Sequence, residues 1–262
     1  MKFAKQNGLW LSVLCASVAC AAGAAELPVK TGQKIVFVGD SITLAGQGTN
    51  GYASLVAAGF KANGVDVTWN CRAGSGANSS NMVAKSGSFS FALQQKPDWI
   101  TISCGVNDAK VDGNACPLDQ YKANITTMVD KAQAAGIKVM ILTTTAWESH
   151  GDDAYHRKNA DNRNQPLVAY NQFLHVLAKE KGCLLADINT EFQQILKAEF
   201  KADGVLTCYD GCHPNDHGHR VMAEVVLKTF GMNEAQIAKA KQSWPEEGAK
   251  KPDAKPAATK KP

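Results

Sequence analysis

The sequence predicts an α/β protein, a three-layer α/β/α sandwich in which a five-stranded parallel sheet carries helices on both faces. Short apolar runs rich in β-branched residues occur five times along the chain, and each stops at a glycine or a polar residue. Longer stretches with helical periodicity separate or follow these runs. Strands that alternate with helices of about ten or more residues are typical of βαβ units, whose strands lie parallel.

The five apolar runs are the predicted strands. In chain order they are "KIVFVG" from Lys34, "VDVTWNC" from Val65, "DWITISC" from Asp98, "KVMILTT" from Lys138 and "CLLADI" from Cys183. In sheets of this kind, ligands bind beyond the carboxyl ends of the strands. We therefore expect the functional residues directly after these runs.

Helical periodicity predicts five helices, over residues 52–63, 118–135, 167–181, 191–202 and 216–230. His217 and His219 lie in the first turn of the last of these helices. This helix also presents four apolar side chains that we expect to pack on the sheet, namely Val221, Met222, Val225 and Val226. The polar stretch 146–165 is predicted to be an irregular insertion, in which His150 and His156 are solvated.

The two ends of the chain differ from its middle. Lys2 and Lys5 precede a short apolar run that closes on small residues, which is the pattern of a signal peptide cleaved near Ala25. A lipid anchor on Cys20 is the less favoured alternative, because Ser17 stands where such signals carry a leucine-like residue. We expect a secreted or periplasmic protein with a signal peptide at 1–25, one folded domain at 26–244 and a disordered Lys/Pro/Ala-rich tail at 245–262.

Charge and hydropathy exclude two classes of function. The formal net charge is +4, and Lys2, Lys5 and the lysine-rich tail account for all of it, so the folded domain is formally neutral. Nucleic-acid binding, which needs clustered basic residues, is not expected. After the leader, no segment approaches the roughly 20 apolar residues that span a bilayer, so we expect no stable membrane insertion. A monomer is the default expectation.

A serine, a histidine and an aspartate stand where nucleophilic catalysis would place them. Ser41 directly follows the first strand and precedes a predicted helical turn, so its hydroxyl is expected to face the crevice. A serine hydroxyl is a poor nucleophile until a histidine accepts its proton, and a carboxylate then fixes the histidine tautomer. His213 supplies such a base and Asp210, three residues earlier on the same loop, the carboxylate.

Two further strand ends supply hydrogen-bond donors for an oxyanion. Gly76 follows the second strand, and its lack of a side chain lets its backbone N–H approach a substrate closely. Asn107 follows the third strand and offers a side-chain amide. Together with the backbone N–H of Ser41, these groups would complete a site for acyl transfer.

Four segments of the chain resemble, in order and spacing, the four sequence blocks of the SGNH or GDSL hydrolases: "FVGDSITLAG", "NCRAGSGANS", "SCGVNDA" and "DGCHPNDHGHRVMAE". The resemblance extends from Lys34 to about Gly231. It implies the flavodoxin-like α/β/α fold of that family and a serine hydrolase that needs no cofactor. The G-x-S-x-G motif of the α/β-hydrolases is absent.

The resemblance also implies a role for each candidate residue: Ser41 as nucleophile, Asp210 and His213 completing the triad, and Ser41, Gly76 and Asn107 forming the oxyanion hole. In the second block a single serine separates Gly74 from Gly76. Gly74 therefore remains an alternative donor.

The cysteines and histidines near the end of the domain allow another interpretation. Cys208, Cys212, His213 and His217 have spacings that a zinc site uses, but Cys212 and His213 are adjacent and would not easily face one ion. In an exported protein the six cysteines outside the leader favour disulfides over free thiols. We predict a Cys208–Cys212 disulfide that brackets Asp210, with pairing to Cys183 or Cys116 as the alternative, and no metal.

These inferences predict a secreted serine esterase. Its polar, glycine-rich loops favour an acetyl ester on a carbohydrate over a lipid, and Trp147 and Tyr155 are candidates to stack on a sugar ring. The substrate would be a small-molecule or polysaccharide ester. The alternatives are a lysophospholipase or thioesterase-like acyl hydrolase and a non-catalytic carbohydrate- or metal-binding module.

Overall fold

The computed structural model of the chain describes residues 26–110, 115–149, 154–199 and 205–248. Within them lies one five-stranded sheet in which all neighbouring strands are parallel, in the order β2-β1-β3-β4-β5. The strands are β1 (Lys34–Gly39), β2 (Thr68–Ala73), β3 (Trp99–Ser103), β4 (Lys138–Leu142) and β5 (Leu184–Ala186). The predicted fold class is confirmed.

Nine helices lie among the described residues. They are α1 (Ser41–Ala45), α2 (Tyr52–Ala62), α3 (Ser79–Val83), α4 (Ser88–Gln94), α5 (Leu118–Ala134), α6 (Ala154–Lys181), α7 (Ile188–Ala198), α8 (Asp216–Thr229) and α9 (Glu234–Gln242). On one side of the sheet α2 packs on α8 and α9, and α7 packs on α8. On the other side α3, α4, α5 and α6 form the second layer.

Side chains alternate between two hydrophobic cores, one on each face of the sheet. In β1, Ile35 and Phe37 belong to the core beneath α2 and α8, whereas Val36 and Val38 belong to the core beneath α5 and α6. This alternation follows from the two-residue period of a strand. The central strands are apolar on both faces because helices cover both faces. In α8, the predicted packing residues are buried (Met222, Val226) or half-buried (Val221, Val225).

The two edge strands differ from their predicted limits. Strand β2 begins at Thr68, three residues after the predicted start, because its register pairs Thr68 with the first residue of β1, Lys34. Strand β2 is an edge strand with half-exposed or exposed side chains, so it accommodates the polar Arg72. Strand β5 ends early because Asp187 caps α7, accepting the N–H of Thr190 at 3.2 Å.

The insertion predicted to be irregular is partly helical. Helix α6 begins at Ala154, well before the predicted start at residue 167, and Pro166 lies inside it. A proline within a helix lacks the N–H for one backbone hydrogen bond, and such a residue more often stands in the first turn of a helix. Residues 150–153 lie outside the described residues, as does the side chain of His156.

The predicted leader, 1–25, and most of the predicted tail also lie outside the described residues. The described chain continues to Gly248, whose backbone N–H donates to Asp216 at 2.6 Å, while Arg220 contacts Pro245 and Glu247. None of the helices in the described ranges has the length and apolar character of a transmembrane span.

Candidate active site

A cavity of about 450 Å³ lies at the carboxyl ends of the central strands. Its lining contains all five residues for which the sequence predicts a role: Ser41, Gly76, Asn107, Asp210 and His213. They come from four separate segments of the chain. The topology of the sheet therefore brings them together, as expected for ligand sites in parallel α/β sheets.

Local contacts at the end of β1 fix the position of Ser41. A Cβ atom on Gly39 would lie 2.0 Å from the Thr43 hydroxyl and 2.9 Å from the Ser103 carbonyl, so only glycine is tolerated there. Asp40 is the N-cap of α1, and its Oδ1 accepts the N–H of Ile42 at 2.9 Å. Ser41 is thus the first residue of the helix, at the cavity.

A continuous hydrogen-bonded chain joins Ser41, His213 and Asp210. The Ser41 hydroxyl lies 2.8 Å from His213 Nε2, and His213 Nδ1 lies 2.5 Å from Asp210 Oδ2. Asp210 Oδ1 also accepts the backbone N–H groups of Cys212 at 2.9 Å and His213 at 3.0 Å. With Nδ1 protonated and facing the carboxylate, Nε2 is free to accept the serine proton.

The same contacts keep Asp210 ionised. Partial burial by itself would raise the pKa of this carboxyl group, but the backbone N–H groups of His213 and Cys212 and the His213 ring oppose burial. The net effect is that the pKa of Asp210 lies below its ordinary value. A carboxylate that stays ionised near neutral pH can hold the imidazole in one tautomer and stabilise its protonated form.

Residues 205–215, which we call the acid–base loop, hold Asp210 and His213 in a tight turn. The N–H of Cys208 donates to the His213 carbonyl at 2.7 Å, and the N–H of Gly211 donates to Cys208 at 2.8 Å. An antiparallel bridge joins Thr207 and Pro214. The loop belongs to no strand or helix of the sandwich, so its position relative to Ser41 depends on contacts from outside it.

Glu148, a residue that sequence reasoning missed, supplies the strongest of those contacts. Its buried carboxylate accepts the backbone N–H groups of Val205 at 2.6 Å, Leu206 at 3.0 Å and Thr207 at 2.7 Å, and also the Thr207 hydroxyl at 2.7 Å. The N–H of Glu148 donates to the Gly211 carbonyl at 2.9 Å. Glu148, which follows β4 in the chain, thus anchors the acid–base loop both at its start and near its tip.

We expect Glu148→Gln to lower kcat about tenfold while the KM for a small ester changes less than twofold. Glutamine keeps the shape but replaces one acceptor oxygen by an NH2 group that faces N–H donors, so the loop loses its fixed position. Steady-state kinetics and the unfolding temperature test this. Thr207→Ser, which keeps the hydroxyl, should be near wild type, whereas Thr207→Val should be impaired. A Glu148→Gln variant with a lower Tm and unchanged kcat would show that Glu148 only stabilises the fold.

The residues predicted to donate hydrogen bonds to an oxyanion line the same cavity as Ser41. Gly76 adopts φ +67°, a left-handed conformation that favours glycine, and it lines the cavity. The Asn107 amide donates to the Ala77 carbonyl at 3.1 Å and, through a longer hydrogen bond, to Asp40 Oδ2 at 3.5 Å. The alternative, Gly74, donates its N–H to Gly39 beside the sheet.

Two buried carboxyl groups support these loops from beneath. Asp108 accepts the backbone N–H of Ser79 at 2.8 Å and the Cys104 thiol at 3.2 Å, which ties the end of β3 to the start of α3. Burial raises the pKa of Asp108. Burial likewise raises the pKa of Asp40 to about 6, although the Ile42 N–H and the nearby His213 oppose the rise.

The structure does not contain the predicted Cys208–Cys212 disulfide. All six cysteines of the described residues, Cys71, Cys104, Cys116, Cys183, Cys208 and Cys212, are free thiols. The Cys212 side chain is buried in the core beneath α8, whereas Cys208 is exposed and its thiol faces the Pro214 carbonyl at 3.8 Å. The two side chains of the loop therefore point to different environments, and backbone hydrogen bonds keep the turn closed.

The side chains considered as zinc ligands have different surroundings in the structure. His213 faces Ser41, and His217 Nδ1 lies 2.9 Å from the Val205 carbonyl, whereas Cys212 is buried in the core. Among the described residues, no three His, Cys, Asp or Glu side chains are grouped as metal ligands would be.

Aromatic residues flank the cavity. Trp147 lines it, and the Arg163 guanidinium lies 4.3 Å from the centre of the indole ring and covers one face. Tyr209, next to Asp210, is 90% exposed and lines a smaller recess that also contains Trp147 and Arg163. The side chain of Tyr155, the other aromatic candidate, lies outside the described residues.

Comparison with known proteins identifies the family. Residues 37–221, more than half of the chain, match the GDSL-like Lipase/Acylhydrolase family. The chain belongs to this family. It is therefore a serine ester hydrolase of the GDSL type. A curated relative, the acetylxylan esterase of Geobacillus stearothermophilus, is 25% identical over 225 residues, which cover 78% of this chain and 97% of the relative.

Solved structures of two acetylxylan esterases and of an α/β hydrolase have the same fold. A mutant of Axe2, an acetyl-xylooligosaccharide esterase from Geobacillus, aligns with a TM-score of 0.65 at 22% identity, covering 78% of this chain and 97% of Axe2. The acetyl xylan esterase AlAXEase aligns with a TM-score of 0.65 at 23% identity, covering 74% of this chain and 98% of AlAXEase. LAE5, an α/β hydrolase from the metagenome of Lake Arreo, aligns with a TM-score of 0.64 at 23% identity, covering 77% of this chain and 96% of LAE5.

Proposed function

We propose that the protein is an exported esterase that removes acetyl groups from a carbohydrate. The observation that carries the proposal is the unbroken chain from Ser41 through His213 to Asp210 at a cavity of about 450 Å³. Similarity to an acetylxylan esterase over almost the whole length of that relative supports the acetyl ester and the carbohydrate. Two of the related structures are catalytic mutants in which a serine or an aspartate was replaced by alanine.

In the proposed mechanism, Ser41 Oγ attacks the carbonyl carbon of the ester while its proton moves to His213 Nε2. The carbonyl oxygen becomes an oxyanion that accepts hydrogen bonds from the backbone N–H groups of Ser41 and Gly76 and from the Asn107 amide. The tetrahedral intermediate then releases the sugar, whose oxygen takes the proton from His213. This step leaves an acetyl group on Ser41.

Hydrolysis of the acetylated serine repeats the sequence with water. His213 accepts a proton from water as the oxygen attacks the acetyl carbon, and the same donors hold the second oxyanion. Collapse of this intermediate breaks the bond to Ser41 Oγ, which recovers its proton from His213, and acetate leaves. Asp210 holds the imidazole through both halves and stabilises its positive charge.

The lining of the cavity supports a short acyl group. Its large apolar side chains are Ile42, Val106 and Trp147, and the rest of the described lining is polar, charged or small. A site for a fatty acyl chain gains about 0.8 kcal/mol for each buried methylene and needs a continuous apolar surface. The pattern of the first 25 residues supports export, which would place the enzyme among extracellular polymers.

We expect kcat/KM to fall from p-nitrophenyl acetate through the butyrate to the octanoate, because the cavity offers no continuous apolar surface for added methylenes. Acetate release from acetylated plant or algal polysaccharides tests the carbohydrate part of the proposal, and the Ser41→Ala variant is the control for spontaneous hydrolysis. Preference for octanoate together with no acetate from any polysaccharide would favour a lipid acyl hydrolase instead.

Asn107→Ala is expected to cost about 3 kcal/mol of transition-state stabilisation, which appears as a lower kcat with a nearly unchanged KM. The amide donates to charge that develops only during the reaction, so binding of the ground state is little affected. Asn70→Ala on the edge strand β2 is the matched control. A kcat within threefold of wild type would exclude Asn107 from the oxyanion hole.

A further inference from the structure

Two cationic side chains share the cavity with Ser41. Lys110, which follows β3, and Arg163, on α6, both line it. The folded domain is formally neutral, so positive charge at this position does not reflect a basic surface in general. Burial and the negative charges of Asp40 and Asp210 raise the pKa of the Cys212 thiol to about 12, and the positive charges of Lys110 and Arg163 oppose that rise. Both cations therefore act electrostatically on the residue beside His213.

Neither cation forms an ion pair with a described carboxylate. Within the described ranges, Lys110 forms no ion pair or hydrogen bond through its ammonium group. With respect to the same described residues, the Arg163 guanidinium donates one hydrogen bond, from Nε to Asn159 at 3.4 Å. The two carboxyl groups of the lining have other partners: Asp40 caps α1, and Asp210 holds His213. The negative charges of these acids share the cavity with the two cations, but within the described ranges neither acid forms an ion pair with Lys110 or Arg163, so both cations are available to a carboxylate ligand.

The guanidinium of Arg163, an exposed residue, lies over the Trp147 ring. A guanidinium stacked on an aromatic face loses little further freedom when it binds a ligand, and its terminal N–H groups remain at the edge of the stack. Those N–H groups match the geometry of a carboxylate, which they bind through two parallel hydrogen bonds. Lys110 adds a second positive charge to the same cavity.

We propose that Lys110 and Arg163 form a subsite for a carboxylate carried by the sugar, so that the preferred substrate is an O-acetylated uronic-acid-containing carbohydrate. This inference rests on the proposed carbohydrate esterase function and narrows its substrate to an anionic class. The carboxylate would lie near the ester in the bound substrate, and its attraction to the two cations would orient the acetyl group toward Ser41.

A matched pair of substrates tests the inference. One is an O-acetylated methyl glucuronoside, and the other is the methyl glucoside with the acetyl group at the same position, which lacks only the carboxylate. Wild type should hydrolyse the anionic sugar with a kcat/KM about tenfold higher, as expected for two partly exposed charge contacts. Lys110→Met combined with Arg163→Gln should remove this preference, measured as the ratio of kcat/KM for the two sugars in the same variant.

Two control variants separate a specific contact from general charge. Arg163→Lys keeps the charge but loses the paired N–H groups, so it should retain part of the preference. Lys61→Gln removes one exposed charge from the end of α2 and should leave the preference intact. Raising the salt concentration to about 0.5 M should weaken the preference in wild type and not in the double variant.

The outcomes distinguish this inference from the function on which it rests. Equal rates on the two sugars in wild type, or a preference that survives in the double variant, would overturn the carboxylate subsite and leave the carbohydrate esterase proposal standing. Hydrolysis of p-nitrophenyl acetate with no activity on either sugar would overturn both. A tenfold preference that disappears in the double variant supports the subsite.

Discussion

Replacing Ser41 or His213 by alanine is expected to lower kcat for ester hydrolysis about a thousandfold or more, with almost no change in thermal stability. The hydroxyl and the imidazole lie 2.8 Å apart at the cavity, and neither fills a buried space. Groups that act as a unit lose nearly the full effect when either is removed, so the two single variants and the double variant should be similarly inactive.

Fluorophosphonate labelling provides an independent measurement, because only an activated serine reacts with the reagent. Wild type should be labelled stoichiometrically at Ser41, and the His213→Ala variant should be labelled very slowly. Ser75→Ala is the matched control, since Ser75 lines the same cavity but is not part of the hydrogen-bonded chain. Retention of most of the activity in either Ser41→Ala or His213→Ala would contradict the proposed mechanism.

The positions of these two residues were predictable from sequence for a physical reason. Parallel strands end at one edge of the sheet, so a residue directly after a strand is placed by the strand itself. Ser41 and Asn107 follow the buried strands β1 and β3, whose apolar runs are easily recognised. His213 precedes α8, and local spacing puts it on the same turn as Asp210.

The role of Glu148 in holding the acid–base loop could not be predicted from the sequence. Its carboxylate accepts N–H groups from residues more than fifty positions later in the chain, and no local pattern encodes such a contact. A glutamate in a polar stretch normally indicates a solvated side chain. Only the tertiary structure shows that this one is 7% exposed and that its partners are backbone donors of the acid–base loop.

The same limit explains the incorrect disulfide prediction. Cys208 and Cys212 are close in sequence, and spacing alone favours pairing in an oxidising compartment. Whether two side chains can meet depends on the direction of each Cβ atom, which the turn conformation decides. In this turn Cys212 points into the apolar core and Cys208 toward the surface. A loop of this kind is held by Glu148 and by its own backbone hydrogen bonds.

Asp210→Asn is expected to lower kcat by a factor on the order of 10³ to 10⁴ without unfolding the protein. Asparagine keeps the Oδ1 acceptor for the N–H groups of Cys212 and His213, so the turn stays closed. Its NH2 group, however, would donate to His213 Nδ1 in place of accepting from it. The imidazole would then carry its proton on Nε2, facing Ser41, and would be unable to accept the serine proton.

Three measurements separate this tautomer effect from simple damage to the loop. The Asp210→Asn variant should unfold at nearly the wild-type temperature, react slowly with fluorophosphonate and lose the far-downfield proton resonance expected from the 2.5 Å contact between Asp210 and His213. Asp119→Asn, at an exposed carboxylate on α5, should leave all three unchanged.

The lower kcat of Asp210→Asn should persist at and above neutral pH. Bound N–H groups hold the pKa of Asp210 below its ordinary value, so the wild-type carboxylate stays ionised across that range. An Asp210→Asn variant with more than about a tenth of wild-type kcat would show that Asp210 does not set the tautomer of His213.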